Sequence, residues 1–384
     1  MSVTAAKGFV AAGVVAGIKD SGSPDLALVV NQGPLAHAAA VFTGNRFKAA
    51  PVQWSRQALA TPRLAAVVLN SGGANACTGD AGFADAAQTA AWVAAEVGCE
   101  VEDVAVCSTG LIGVRLPMEA VLGGIQLAAQ DLSQAGGPSA AEAIMTTDTV
   151  AKQAEHGSPS GWTIGGMAKG AGMLAPALAT MLVVITTDAV VESAELDRAL
   201  RTATGFTFDR TDSDGCMSTN DTVILLASGA SGVSPDPAEF SEALTGVCAS
   251  LARQLLADAE GSCHDIEVRV EGAATEADAL EVARAVARSN LFKCAIFGND
   301  PNWGRVLAAA GTTAAGFDPD HVDVAFNGVR VFADGQLGAD RSEVDLTSRD
   351  VLVEVNLHAG GEAAAIWTND LTYGYVKENA EYSS

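Results

Sequence analysis

Short apolar runs alternate with longer Ala-rich stretches along the whole chain, and the two periods differ. Runs at 26–30, 65–69, 104–107, 181–187, 222–227 and 266–270 have the length and composition of strands. Stretches at 84–97, 194–203, 237–257 and 276–288 read as helices, and 237–257 is long and amphipathic. The run Met181-Leu-Val-Val-Ile-Thr-Thr187 is apolar and β-branched throughout, as a strand buried on both faces is. This mixture predicts an α/β or α+β fold. A Gly/Ser/Pro stretch, Gly157-Ser-Pro-Ser-Gly161, interrupts the pattern, but it stands just ahead of that strand and is not read as a domain linker. No internal repeat and no low-complexity tail is visible.

The chain has 384 residues, enough for two or three domain-sized units or for one large α/β unit. Forty-six acidic against 22 basic residues give a formal charge of −24. A field of that sign repels phosphate backbones and anionic lipid, so neither nucleic acid nor a membrane surface is an expected partner. It also disfavours anionic small molecules at long range, so a site for them needs a local cation, for which Lys169 is a candidate. The seven cysteines, at 77, 99, 107, 216, 248, 263 and 294, form neither a CxxC pair nor a Cys/His ligand spacing. Reduced and mostly buried thiols are therefore expected, with no metal site. Nothing at the N-terminus resembles a targeting segment and no apolar run reaches membrane-span length, so the expected compartment is the cytoplasm.

The chemistry concentrates ahead of the 181–187 strand. Lys169-Gly-Ala-Gly-Met-Leu-Ala-Pro-Ala-Leu-Ala-Thr180 is a loop of glycines, alanines and a proline that delivers one hydroxyl to a strand edge. By itself such a threonine is a packing residue. It becomes a nucleophile when a base is close, and an N-terminal threonine carries its own base, the α-amine. Here that requires cutting the Ala179–Thr180 bond. After the 104–107 strand, Cys107-Ser-Thr-Gly110 offers the Thr109 hydroxyl and the Gly110 amide to a developing oxyanion. The five histidines are scattered, and none stands in a nucleophile–base motif. Acidic and Gly-rich turns at 211–222 and 335–340 suggest calcium at first sight, but the first lacks a closing Glu and reads as turns in which Asp and Ser bond backbone amides. The glycines of Asn70 to Gly79 lack nucleotide-loop spacing and read as tight turns beside a packed site.

The 169–187 segment resembles the self-cleaving threonine acyltransferases of arginine biosynthesis, the ornithine acetyltransferase (glutamate N-acetyltransferase) family. The likeness runs nearly end to end: Asn70 to Gly79, Thr146-Thr-Asp-Thr149, Ser218-Thr-Asn-Asp-Thr222, Ala259-Glu-Gly261, Asp300-Pro-Asn-Trp-Gly-Arg305 and the terminus Glu378-Asn-Ala-Glu-Tyr-Ser-Ser384. It implies Thr180 as nucleophile and, once N-terminal, as base, with Thr109 and Gly110 as the oxyanion hole. Thr147, Lys169, Thr180, Glu260, Asn379 and Ser384 are implied at the substrate. By charge type, Lys169 would neutralise a carboxylate and Glu260 receive an amine. Two departures are visible: alanine at 151 where the family usually has proline, and Gly261-Ser-Cys-His264, where a small-Thr-Lys ending is usual. The second bears on the geometry near Glu260, because histidine is not a fixed cation.

The resemblance implies a layered αββα-type fold with β-sheets between helices. It implies an α chain, 1–179, and a β chain, 180–384, forming one intertwined catalytic unit that assembles as α2β2. The implied reaction is ping-pong acetyl transfer from N2-acetyl-L-ornithine to L-glutamate, giving L-ornithine and N-acetylglutamate. No cofactor is implied, with acetyl-CoA a possible second donor substrate. Alternatives are a self-cleaving aminopeptidase or amidase of similar fold, and a noncatalytic amino-acid-binding protein with an uncut Ala179–Thr180 bond.

Overall fold

A computed structural model describes residues 2–173 and 181–381. The chain divides into two compact units, the first comprising residues up to Asp209 with Cys216–Leu255, the second Arg210–Gly215 with the residues from Leu256 on.

The first unit contains strands β1 (Phe9–Val14), β2 (Leu26–Asn31), β3 (His37–Phe42), β4 (Ala66–Gly73), β5 (Val104–Leu111), β6 (Lys152–Gly157), β7 (Thr163–Lys169), β8 (Leu182–Thr187) and β9 (Thr222–Ala227). Its helices are α1 (Ala50–Ala58), α2 (Gly79–Val97), α3 (Met118–Gln130), α4 (Gly137–Ala143), α5 (Ser193–Phe206) and α6 (Pro237–Ala257), whose last turn enters the second unit. One sheet has the order β1-β2-β4-β5, the other β3-β9-β8-β7-β6. Strand pleating sorts the first sheet's side chains to two faces. Phe9, Ala11, Val29, Val67, Leu69 and Ala105 join Leu182, Val184, Ile224 and Leu226 of the second sheet in one core. Their neighbours Val10, Ala12, Leu28, Val68 and Val106 face Val93 of α2 and Ile125 of α3 in another. Both faces are buried, which is why these runs are apolar at every position rather than at every second one. On the far side of the second sheet, α5 packs on β3, and a Cβ on Gly166 of β7 would lie 3.1 Å from Leu251 of α6. The fold is α/β with sheets between helices, as expected.

The second unit contains β10 (Asp265–Ala273), β11 (Asp323–Phe326), β12 (Val329–Ala333), β13 (Gln336–Leu337), β14 (Asp350–Asn356) and β15 (Glu362–Asn369), in the order β13-β12-β11-β14-β10-β15. Helices α7 (Glu276–Ala287), α8 (Asn290–Phe297) and α9 (Trp303–Ala310) cover it. Ile266, Val268, Val270, Val353, Val355 and Ile366 close a core with Val282, Phe292 and Val306. The chain leaves through α10 (Tyr373–Glu381).

Three readings of the sequence need correction. Strand β5 does not stop at 107 but continues through Thr109 and Gly110. Helix α2 begins at Gly79, five residues before 84, because the Asn75 and Thr78 side chains hold its glycine-rich first turn: Asn75 Nδ2 donates to the Gly82 carbonyl at 2.8 Å, and Thr78 Oγ1 donates to Asn75 Oδ1 at 2.7 Å. The thiols are not mostly buried: Cys107 and Cys248 are, whereas Cys77, Cys216, Cys263 and Cys294 are exposed. A small sulfur side chain follows the burial of its backbone position and carries no signal of its own.

Candidate functional site

The end of β5 is irregular. Gly72 and Gly73 of β4 face Thr109, Gly110 and Leu111 with a shift of register, and Gly110 has φ +129°. A Cβ at Gly110 would lie 2.5 Å from the Gly73 nitrogen, so only glycine lets the two strands close there. Asn220 fixes the neighbouring backbone, its Nδ2 donating to the carbonyls of Ser108 at 2.8 Å and Ala74 at 2.7 Å. Thr109 is thereby held, buried, at the inner end of β5.

Lys169 closes β7 and is 1% exposed. Its ammonium donates to Thr146 Oγ1 at 2.7 Å, lies 3.5 Å from Thr109 Oγ1, and is 3.7 Å from Asp148 Oδ2. Asp148 is the hub. Its carboxylate takes the Lys152 ammonium at 2.6 Å, the Gly170 amide at 2.6 Å and the Thr146 amide at 3.0 Å. Burial alone would raise this carboxyl, but the ammonium groups of Lys169 and Lys152 outweigh it and hold it well below the usual carboxylate range. Thr147 is half-buried on the same turn. The structure therefore brings Thr109, Gly110, Thr147 and Lys169 into one unit, joined there by a buried Asp148–Lys152 pair. Residues Ala179, Thr180 and Ser384 lie outside the described residues.

Beside the start of β8 lies Asp221, fully buried, whose Oδ1 accepts the Met181 amide at 3.1 Å. Its Oδ2 has no hydrogen-bond partner among the described residues. Burial pushes this carboxyl well above the usual range, so it favours the neutral acid. That hydrogen bond ties Asp221 to the residue that follows Thr180 in the chain.

In the second unit, Asn379 Nδ2 donates to Glu260 Oε2 at 2.9 Å. Helix α10 is pinned to the turn that carries Glu260. Thr372 Oγ1 donates to the Gly261 carbonyl at 2.6 Å, and a Cβ on Gly261, at φ +63°, would lie 2.2 Å from the Tyr375 nitrogen. His264 does not stand in for a free cation. It is buried, with Nδ1 2.8 Å from Asp370 Oδ2 and Nε2 3.1 Å from the Leu346 carbonyl. Glu260 borders a cavity of about 400 Å³ with Arg288, Lys293, Asp370 and Tyr375. Burial lowers the Lys293 ammonium to about 8, and Nζ donates to the Ser213 carbonyl and, at 2.9 Å, to Thr368 Oγ1.

Sequence reasoning missed Asp148, Lys152, Asp221 and Asn220. All four stand inside or beside quoted motifs, but nothing in a motif says which of its polar residues is buried. It also missed Lys19 and Asp25. Asp25, fully buried, accepts the amides of Ala16 at 2.6 Å, Gly17 at 3.1 Å, Ile18 at 2.6 Å and Lys19 at 2.9 Å. Glycine and aspartate at 17, 22 and 25 mark a turn in the sequence, and that is the only signal they give. Among the described residues no group of three or more His, Cys, Asp or Glu side chains is placed to hold a metal, and no helix is long and apolar enough to cross a membrane.

The chain matches the ArgJ family over residues 10–384. It is 62% identical to the arginine biosynthesis bifunctional protein ArgJ of Streptomyces coelicolor over 384 residues, covering 100% of each chain. Its identity to the protein of the same name from Thermobifida fusca is 61% over 384 residues, again covering 100% of each. Among solved structures it is similar to the ornithine acetyltransferase of Mycobacterium tuberculosis complexed with ornithine, at 56% identity and a TM-score of 0.46 over 47% of this chain and 96% of that one. By the match over nearly its whole length, the chain belongs to the ArgJ family.

Proposed function

We propose that this protein transfers acetyl from N2-acetyl-L-ornithine to L-glutamate in arginine biosynthesis, with Thr180 as the acyl carrier. The observation that carries the reading is the 62% identity, end to end, to a protein named for arginine biosynthesis. The buried Lys169 ammonium beside Thr109 and Gly110 supports the chemistry.

The Thr180 hydroxyl first attacks the Ala179 carbonyl. The acyl chain moves from nitrogen to oxygen, the Thr180 amine is released, and water opens the ester to leave Ala179 as a carboxylate. The free amine, with a reference pKa of about 7.7 to 8.0, then accepts the hydroxyl proton as Thr180 attacks the acetyl carbonyl of N2-acetylornithine. Negative charge on the carbonyl oxygen is met by the Thr109 hydroxyl and the Gly110 amide. The amine returns its proton to the departing ornithine nitrogen. Glutamate's amine reverses the steps on acetyl-Thr180, so an amide is exchanged for an amide and no nucleotide is consumed. Thr147, Lys169, Glu260, Asn379 and Ser384 hold the amino acids, Lys169 toward a carboxylate and Glu260 toward an amine. Acetyl-CoA is a second donor at the same threonine, its thioester replacing the amide. The cleaved chains 1–179 and 180–384 assemble as α2β2 in the cytoplasm.

Intact mass and donor assays on wild type and Thr180→Ala test this. Wild type should appear as two chains that join at Ala179–Thr180 and should transfer acetyl only when glutamate is present. Thr180→Ala should remain one chain and be inactive. An uncut, fully active wild type would overturn the mechanism, and acetate released from acetylornithine without glutamate would make the protein an amidase.

A further inference from the structure

Lys19 belongs to no motif quoted above, yet it is held against the same turn as Lys169. Its ammonium donates to the Met145 carbonyl at 2.6 Å and to the Pro24 carbonyl at 3.2 Å. Lys169 donates to the hydroxyl of the next residue, Thr146. Two ammonium groups are thus tied to adjacent residues. The backbone that carries Lys19 is fixed by the four amide bonds to Asp25, whose own carbonyl accepts the Ser71 amide at 2.9 Å. Gly72 follows Ser71, and a Cβ there would stand 3.1 Å from the Lys19 side chain. Gly72 is paired in register with Gly110. The lysine stem therefore lies over the strand pair that carries Thr109 and Gly110.

Among the described residues, Asp25 and Asp148 act on Lys19 as anions and Lys169 as a like charge that repels it, while Lys152 and Lys169 both face Asp148. Holding like charges together under partial burial is unfavourable until an anion joins them. Two of the three ammonium protons of Lys19 are engaged by described residues, which leaves one to offer. A chain of charge −24 has to gather cations to attract a carboxylate at all. The group shared by donor and acceptor amino acids is the α-carboxylate.

We propose that Lys19 and Lys169 form a two-cation seat for the α-carboxylate of the amino-acid substrates, Lys19 being a binding residue in its own right. The inference rests on the acetyl-transfer reading above, and its test separates the two. Lys19→Met keeps the aliphatic stem and removes the charge. It should raise KM for N2-acetylornithine about tenfold or more, the size of a lost hydrogen bond to a charged group, with little change in kcat. The decisive comparison uses N2-acetylornithinamide, whose α-carboxylate is a neutral amide. Wild type should prefer the carboxylate by a similar factor, and Lys19→Met should lose that preference. A structural tie between loops would lower stability without touching the preference. An unchanged KM and preference in Lys19→Met overturns the proposal, whereas a wild type that transfers no acetyl from acetylornithine overturns the reading beneath it. Should Lys19→Met fail to fold, amine labelling of wild type decides. Ornithine should slow acylation at Lys19 and ornithinamide should not, and equal labelling with both ligands removes Lys19 from the seat.

Discussion

Two buried ammonium groups, those of Lys152 and Lys169, share one carboxylate at Asp148. Such a cluster tolerates burial only while the anion is present, because each cation has lost its water. Asp148→Asn keeps the shape and removes the charge. It should destabilise the protein by about 3 to 5 kcal/mol at pH 7, the cost of removing one partner of a buried ion pair. The sign with pH follows from the depressed folded-state pKa. The contribution is complete above the usual carboxylate value of 3.8 and is lost as pH falls toward the lower folded value. Denaturant unfolding of wild type and variant at several pH values should therefore show a gap that is constant near neutrality and begins to shrink below about pH 4. A gap that widens on acidification would contradict the arrangement. None of this was legible in Thr146-Thr-Asp-Thr149, where Asp148 looks like an ordinary surface charge; Lys169 stood out as a candidate cation, but not as the partner of Asp148. Their meeting depends on β7 running back past the turn, a long-range placement that spacing does not encode.

At the scale of elements, strands were readable because burial on both faces makes them continuously apolar, as in Met181-Leu-Val-Val-Ile185. Their ends were less so. Strand β5 runs on through Ser108-Thr-Gly110, which has neither apolar character nor alternation, because its partner supplies Gly72 and Gly73 across an irregular pairing. That irregularity lies where Gly73 faces both Thr109 and Leu111, on either side of Gly110. Gly110→Ala should therefore part β4 from β5. Its Cβ would meet the Gly73 nitrogen at 2.5 Å and the Gly72 carbonyl carbon at 2.6 Å. The expected loss is about 1 to 3 kcal/mol of stability, for strain at φ +129°, with kcat down about a hundredfold or more if the amide leaves the oxyanion position. Gly113→Ala is the matched control: it also has positive φ, but nothing lies within 4 Å of its Cβ, and its turnover should stay near wild type. Melting midpoints and single-turnover acetylation of both variants separate strain from catalysis, and full turnover in Gly110→Ala would reject this amide as an oxyanion donor.

At the scale of the whole molecule, the bond between 179 and 180 divides a sheet rather than a pair of domains. In the order β3-β9-β8-β7-β6, the two strands after that bond, β8 and β9, lie inside, and the three before it flank them. Strand β8 pairs with β7 from Ile164↔Thr187 to Lys169↔Leu182, and β9 pairs with β3 from His37↔Ala227 to Phe42↔Thr222. Leu182, Val184, Ile224 and Leu226 fill a core otherwise built from residues before the bond. A fragment ending at 179 would lack the centre of its second sheet and expose β3 and β7 as unpaired apolar edges, which invite aggregation. Residues 1–179 expressed alone should be insoluble or non-cooperative on heating, whereas co-expression with 180–384 should give one soluble complex. A cleaved protein should likewise elute as a single species in native buffer and yield two chains only in denaturant. Cooperative melting of 1–179 on its own would mean that β8 and β9 are dispensable to that core, and the interleaved strand order makes this the most exposed expectation of the fold.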